Sequence, residues 1–221
     1  LIDADQQANS SDTYGAQIEG VATLYDLIIE DGITPAQEAI QITPHGHIIA
    51  GDPLLREADT KLFGDLNGRF KLQESLESLK DYDFIIIDTA PYMGEVLYNC
   101  LIASDAVIIP VTADRYSLQG LSKLNETINS IKKRFNPKLK VLGLLLVKFN
   151  SRTLLSQETR QALNSIAKDM NTKLFNTTIR TSTKAQEAQA KRTTLIKYAP
   201  NSTTAIDYAE FTNELLAEII T

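Results

Sequence analysis

Hydrophobic positions in this chain follow two rhythms. The first is the unbroken run: Phe84–Ile87, Ala106–Val111 and Val141–Val147 are apolar and largely β-branched or aliphatic, without alternation. Runs of that kind predict strands covered on both faces. Shorter strands are predicted at Ile40–Thr43, His47–Ala50 and Leu174–Thr178, the first two separated by Pro44 and Gly46. The second rhythm has helical spacing. Val21, Leu24, Leu27 and Ile28 predict an amphipathic helix over Gly20–Glu30 that ends near Gly32. Leu121, Leu124, Ile128 and Ile131 predict a long one over Leu118–Phe135, stopped by Asn136 and Pro137. Thr34 and Pro35 read as a helix start before the short stretch Ala36–Ala39. Further helices are expected over Leu54–Phe63, Phe70–Leu79, Gly94–Ala103, Arg152–Met170, Thr183–Ala190 and Ser202–Ile220, the last capped by Ser202 or Thr203. Strands alternating with helices of this length mean βαβ units: an α/β fold with a mostly parallel sheet and helices on both faces. No repeat period and no Gly/Ser-rich linker divides the chain, so residues 1–221 read as one domain.

The ends of the strands carry the chemistry. In open α/β sheets ligands gather outside the carboxyl ends of the strands. The central run DYDFIIIDTAP places Asp88 at such an end, with the small residues Thr89 and Ala90 and then Pro91 turning the chain away. The chain opens on LIDAD, which puts Asp3 and Asp5 at the end of another strand. If the two strands are neighbours, three carboxylates face one crevice, a costly arrangement unless a cation or donors offset it. Mg²⁺ held by one or two carboxylates together with phosphates meets that need. The structural alternative is that Asp3 and Asp5 cap the N–H groups of their own loop and Asp88 caps the next helix. A phosphate loop, G-x-x-x-x-G-K-[ST], does not occur in the sequence. A strand whose last residues open the chain is expected to follow missing upstream sequence, so the chain reads as a fragment.

Composition narrows the classes. Hydrophobic residues make up 43% and charged residues 23%, a globular balance, and the net charge of −6 argues against a surface that is basic overall. The single cysteine, Cys100, excludes an intramolecular disulfide. His45 and His47 flank Gly46 in a turn and are not read as metal ligands. No apolar run approaches the ~18 residues of a membrane span, and the acids Asp207, Glu210, Glu214 and Glu218 on the last helix argue against a membrane-targeting face.

Five stretches in order, LIDADQQAN, DYDFIIIDTAP, ASDAVIIPVTADRYSLQGL, VLGLLLVKFNSRTLL and YAPNSTTAIDYAEFTNEL, resemble the ParA/Soj group of deviant Walker-type partition ATPases, related to MinD. The likeness covers essentially the whole chain. It implies a P-loop NTPase-like domain whose first strand, P-loop and first helix lie upstream of LIDAD. It implies that Asp5 positions the attacking water, that Asp3 lies near Mg²⁺, and that Asp88 is the Walker B acid. Gln6 stands where the family has Pro and Ala8 where it has Gly; both are expected to be tolerated. The family binds ATP and Mg²⁺, forms a homodimer around nucleotide, holds nonspecific DNA, hydrolyses ATP slowly under a ParB-like partner, and works in the bacterial cytoplasm on the nucleoid, without a membrane.

Between Lys173 and Lys197 the charge reverses: Lys173, Arg180, Lys184, Lys191, Arg192 and Lys197 face a single acid, Glu187. A charge run is usually a solvated face. By the resemblance it is a DNA-binding segment, with Lys184 where the family has Arg, and with Arg180, Lys191 and Arg192 beside it. Lys132, Lys133 and Arg134 read as structural cations at a helix C-terminus. Tyr98, Tyr116, Phe149 and Tyr198 could each stack on a base, and Phe149, just past a strand end, is the candidate for an adenine wall. The rival reading is a non-catalytic module that lost its P-loop and acts by binding DNA or a partner.

Overall fold

The computed structural model describes residues 1–29, 35–65, 67–150 and 154–219, excepting the side chains of 115, 116 and 154–157. Gly32, Thr34, Arg152, Ile220 and the Tyr116 side chain, named above, therefore lie outside the described residues. The chain divides into two compact units, Leu1–Ser104 with Lys133–Pro137, and Asp105–Lys132 with Lys138–Thr221.

The first unit is built on a four-stranded sheet. Its strands are β1 (Ile2–Ala4), β2 (Ile40–Thr43), β3 (Gly46–Ile49) and β4 (Ile87–Thr89), in the order β2-β3-β1-β4. β1 runs parallel to both β3 and β4, and β2 and β3 form an antiparallel hairpin. Helices α1 (Asn9–Tyr14), α2 (Leu24–Ile29), α3 (Leu55–Leu62), α4 (Lys71–Leu76) and α5 (Glu95–Ala103) surround it, with a 3-10 turn at Ala36–Ala39. Ile2, Leu24, Leu27, Ile28, Ile49 and Leu72 form its buried core. α2 starts later than its apolar spacing predicts. The Asp26 carboxylate accepts from the Thr23 N–H at 2.7 Å and hydroxyl at 3.0 Å, which closes the helix start at Thr23.

The central run needs a correction. Phe84, Ile85 and Ile86 fall outside β4, although the Ile86 carbonyl still accepts from the Ile2 N–H at 2.8 Å, and they are 52%, 36% and 65% exposed. β4 begins only at Ile87, so Asp88 sits inside the strand rather than just past it. Among the described residues β4 pairs with β1 alone and is the last strand of its sheet, and the side chains of the run before it are left uncovered.

α5 is held at both ends. Asp59 of α3 accepts from the Val96 N–H at 3.2 Å, and a Cβ at Gly94 would collide with that carboxylate. At the other end the Asn136 side-chain amide donates to the carbonyls of Leu101 (3.1 Å), Ile102 (3.1 Å) and Ser104 (2.7 Å). The Arg69 guanidinium grips the buried Glu95 through two bonds of 2.7 and 2.8 Å. It also lies over the rings of Tyr98 and Phe135.

The second unit holds β5 (Ala106–Thr112) and β6 (Lys140–Val147), a parallel pair with a bulge where Val107 pairs with Val141 but Ile108 with Gly143. Its helices are α6 (Arg115–Arg134), α7 (Leu154–Asp169), α8 (Thr183–Ala190), α9 (Leu195–Tyr198) and α10 (Thr203–Ile219). Ser202 caps α10 by accepting from the Ala205 N–H at 3.3 Å.

The strand expected at Leu174–Thr178 is reduced to a parallel bridge at Leu174. The cause is on α10. The Glu214 carboxylate takes the N–H groups of Asn176 (2.8 Å) and Thr177 (2.9 Å), which a ladder would otherwise use. Asp207 likewise accepts from the Arg180 N–H at 2.9 Å and pairs with its guanidinium, and Glu218 pairs with Lys173. Three of the α10 acids, read in the sequence only as arguing against a membrane-targeting face, pin this segment. Burial pushes the Asp207 carboxyl up, but the Arg180 guanidinium and N–H bring it below its ordinary value; Glu214 is lowered by its N–H donors against the same burial. A carboxylate depressed in the folded state stabilises above its unfolded pKa and loses that contribution as pH falls through the folded one. Stability of this unit is therefore expected to drop as pH goes below about 4. Urea midpoints between pH 7 and pH 3 check it, and Asp207→Asn should flatten the acid side of the curve.

Candidate functional site

The site grows from one register position. β1 and β4 pair as Ile2 with Ile87, Asp3 with Asp88 and Ala4 with Thr89, so two acids stand side by side on neighbouring strands, as the sequence reading required. Consecutive serines at the start of α1 reach one each. The Ser10 hydroxyl donates to Asp88 Oδ2 at 2.6 Å, and the Ser11 hydroxyl and N–H donate to Asp3 Oδ2 at 2.7 and 2.8 Å.

The two acids differ in environment. Asp3 is 0% exposed, and its Oδ1 also accepts from the Asp5 N–H at 3.2 Å. The Gly51 N–H donates to the Ser11 Oγ at 2.9 Å, so β1, α1 and the end of β3 meet there. A Cβ at Gly51 would stand 2.9 Å from the carbonyl oxygens of both Asp3 and Asp5, so only glycine fits. Asp3 thus caps the N–H groups of its own loop, as the structural alternative held. Its carboxylate accepts from three donors. Asp88 is exposed, with one contact from Ser10. Asp5 lies on the loop, half-buried, and its Oδ1 accepts from the Gln7 N–H at 2.9 Å.

Among the described residues no three His, Cys, Asp or Glu side chains converge as a metal cage. Mg²⁺ usually keeps its waters and takes one or two carboxylates plus phosphate oxygens. Asp88 fits that pattern; a dedicated all-protein site is not what these residues make.

Ala8 precedes α1 with φ 49° and ψ 35°, in the left-handed region. An L-residue there is strained by about 1–2 kcal/mol, so the alanine that the sequence reading expects to be tolerated here carries a cost in backbone strain. Ala8→Gly is expected to raise unfolding stability by about 0.5–1 kcal/mol, measured by urea titration.

A cavity of about 370 Å³ opens beside the acids, lined among others by Gln6, Arg56, Asp59, Thr89 and Tyr92. Cys100 also borders it, but burial pushes that thiol up to about 12, which makes it inert.

In the second unit the candidates part company. Phe149 is 8% exposed, and its backbone pairs with Ile179 and Thr181. The ring is buried at the end of β6, where the sequence reading placed its candidate for an adenine wall. Arg180 is tied to Asp207, a pairing 27 residues apart that no local pattern signals. Lys184, Lys191 and Arg192 are exposed on and just after α8.

Comparison with known proteins supplies the context. A family model described as an AAA domain matches residues 1–141. The sporulation initiation inhibitor protein Soj of Bacillus subtilis is 30% identical over 219 residues, 98% of this chain and 85% of that protein. The chromosome partitioning protein ParA of Myxococcus xanthus is 35% identical over 162 residues, 72% of this chain, and the match spans 56% of its own length. The crystal structure of cobyrinic acid a,c-diamide synthase from Mycobacterium smegmatis with bound ADP and magnesium superposes with a TM-score of 0.82. It is 23% identical, across 100% of this chain and 82% of its own.

Proposed function

The chain belongs to the ParA/Soj-type partition ATPase family, and from that premise we propose that it is the body of an ATP- and Mg²⁺-dependent partition ATPase. Its fold is the α/β architecture of the P-loop structures it superposes on. The nucleotide site in this reading lies at the carboxyl ends of β1 and β4. The observation that carries it is the side-by-side register of Asp3 and Asp88, each gripped by one of two consecutive serines.

The roles divide by environment. Asp88, exposed, faces Mg²⁺, which when bound offsets the charge of the phosphates. Asp5 positions the attacking water. Asp3 holds the Asp5–Ser11 loop in place from below. The 221 residues act as one ParA-like domain that dimerises around nucleotide and answers to a ParB-like partner on the nucleoid. It holds DNA without sequence preference through Lys184, Lys191 and Arg192. Arg180 supports that face by anchoring it to α10 rather than by touching DNA. The rival reading is a binding module that does not hydrolyse ATP and uses the same basic face.

One experiment separates the roles and the readings. The chain is fused behind a strand–loop–helix unit carrying G-x-x-x-x-G-K-[ST], and nucleotide binding and hydrolysis are measured. Asp88→Asn is expected to weaken Mg²⁺-dependent ATP binding about tenfold or more. Asp5→Ala should leave binding within about twofold and slow hydrolysis about a hundredfold, since placing the water matters only on the way to the transition state. Equal loss of binding in both would show the roles reversed or absent. A fusion that binds no ATP would leave the module reading standing.

A further inference from the structure

The basic segment contains its own counter-ion. Of its six cations, Lys173 and Arg180 are paired with α10. Two others converge on one acid and one ring. Glu187 Oε2 accepts from Lys184 Nζ at 2.7 Å and from the Tyr198 hydroxyl at 2.7 Å. Lys184 Nζ lies 5.9 Å and Lys191 Nζ 4.9 Å from the centroid of the Tyr198 ring, within the range where an ammonium is drawn to an aromatic face. Glu187 is the only acid between Lys173 and Lys197.

The fold does not need this acid where it is. α8 is capped by the Ser182 side chain, which accepts from the Lys184 N–H. Its last turn closes through N–H groups of Lys191 and Arg192 onto backbone carbonyls, and Ala188 supplies its buried contact. Glu187 instead spends its charge on the lysines and orients the ring they share. A phosphate oxygen is the same kind of acceptor as a carboxylate oxygen, and it would meet Lys184 in the same place.

We propose that Glu187 is an internal competitor for phosphate: it holds Lys184 and, through Tyr198, Lys191 in a closed arrangement that a nucleic-acid backbone must displace. The proposal rests on the DNA-binding reading above and adds to it a residue that sets the affinity. The ion pair is exposed, so it is weak enough for a phosphate to replace it. Lys184 is raised and Glu187 lowered by their hydrogen bond to each other, as an intact pair requires.

The test is duplex DNA of mixed sequence titrated, with ATP and Mg²⁺ present, with the chain fused behind the strand–loop–helix unit that carries the phosphate loop, at several salt concentrations, for the wild type, Glu187→Gln and Tyr198→Phe. Glutamine keeps the acceptor and the shape and removes only the charge. Glu187→Gln is expected to bind about threefold to fivefold tighter near 0.1 M salt. Its plot of log affinity against log salt should steepen by roughly one phosphate contact, ~0.9 in slope. Tyr198→Phe keeps the ring, frees one donor from Glu187, and should change affinity less than twofold, about the weight of one exposed contact. Wild-type binding that is salt-dependent and unchanged or weakened in Glu187→Gln overturns the competitor and leaves the DNA reading intact. Wild type and Glu187→Gln that both fail to bind overturn the DNA reading and the proposal with it.

Discussion

Purified residues 1–221 are expected to release no phosphate from ATP above the protein-free blank. In P-loop ATPases the triphosphate is held by backbone N–H groups of a glycine loop, by its lysine and by the N-terminus of the following helix. No stretch of this sequence supplies them. Asp3, Asp5 and Asp88 are acids and repel phosphate, and Arg56 in the cavity beside them is a single cation that does not replace a cradle of N–H donors. Loss of a single such donor costs an enzyme about 10²–10³ in rate, so loss of the whole cradle exceeds that. The same unit should be self-associating. Among the described residues β4 pairs with β1 alone, and the exposed Phe84–Ile86 lead into it; an apolar strand edge of this kind recruits other strands. Fusion behind a strand–loop–helix unit with a phosphate loop should restore turnover and bring the species seen by light scattering to one defined size. Residues 1–221 that are monodisperse and hydrolyse ATP, with activity lost in Asp88→Asn, would overturn the mechanism.

The second large effect concerns Phe175. Its ring is 1% exposed, packs with Leu145 and Ile179, and meets Phe211 edge-on at 5.0 Å. Phe175→Ala should cost about 3–5 kcal/mol by urea unfolding, a large share of a typical domain's ~5–15 kcal/mol. The ring lies against Gly143 of β6, where a Cβ would stand 2.6 Å from its Cε2 and 2.9 Å from its Cδ2. Gly143→Ala should therefore cost about 1–3 kcal/mol from overpacking. Joined to Phe175→Leu, it should cost less than the two changes summed, because the smaller side chain vacates the space. Strict additivity would show that the two positions do not press on each other.

Much of this was legible in the sequence because it depends on local pattern. β5, β6, α8 and the two short strands β2 and β3 are legible from apolar runs, helical spacing and Pro–Gly punctuation; that β2 and β3 pair as a hairpin comes from the structure. That Asp3 and Asp88 each end an apolar run was legible, but that their strands are neighbours was only a condition in the sequence and comes from the register of β1 and β4. What escaped depends on neighbours distant in sequence. Whether Phe84–Ile86 are covered is decided by what packs against them. Whether 174–178 forms a ladder is decided by Glu214, and the use of Arg180 by Asp207. Asp3 and Asp88 look alike in sequence; only Ser11, Gly51 and burial make one a clamp and leave the other open. The cost of Ala8 was hidden for the same reason, since a backbone angle is not written in the residue that bears it.

The Asn136 clamp on α5 has a consequence for how the protein is made. The first unit is not one continuous piece: it ends at Ser104 and is completed by Lys133–Pro137. The carbonyls at the end of α5 wait for a side chain about thirty residues further along. At ~5–20 residues per second, a ribosome needs a few seconds to deliver it. During that interval the nascent unit carries a loose C-terminal helix. A chain released or cut before residue 136 would keep its sheet and its acids but not the closure of α5.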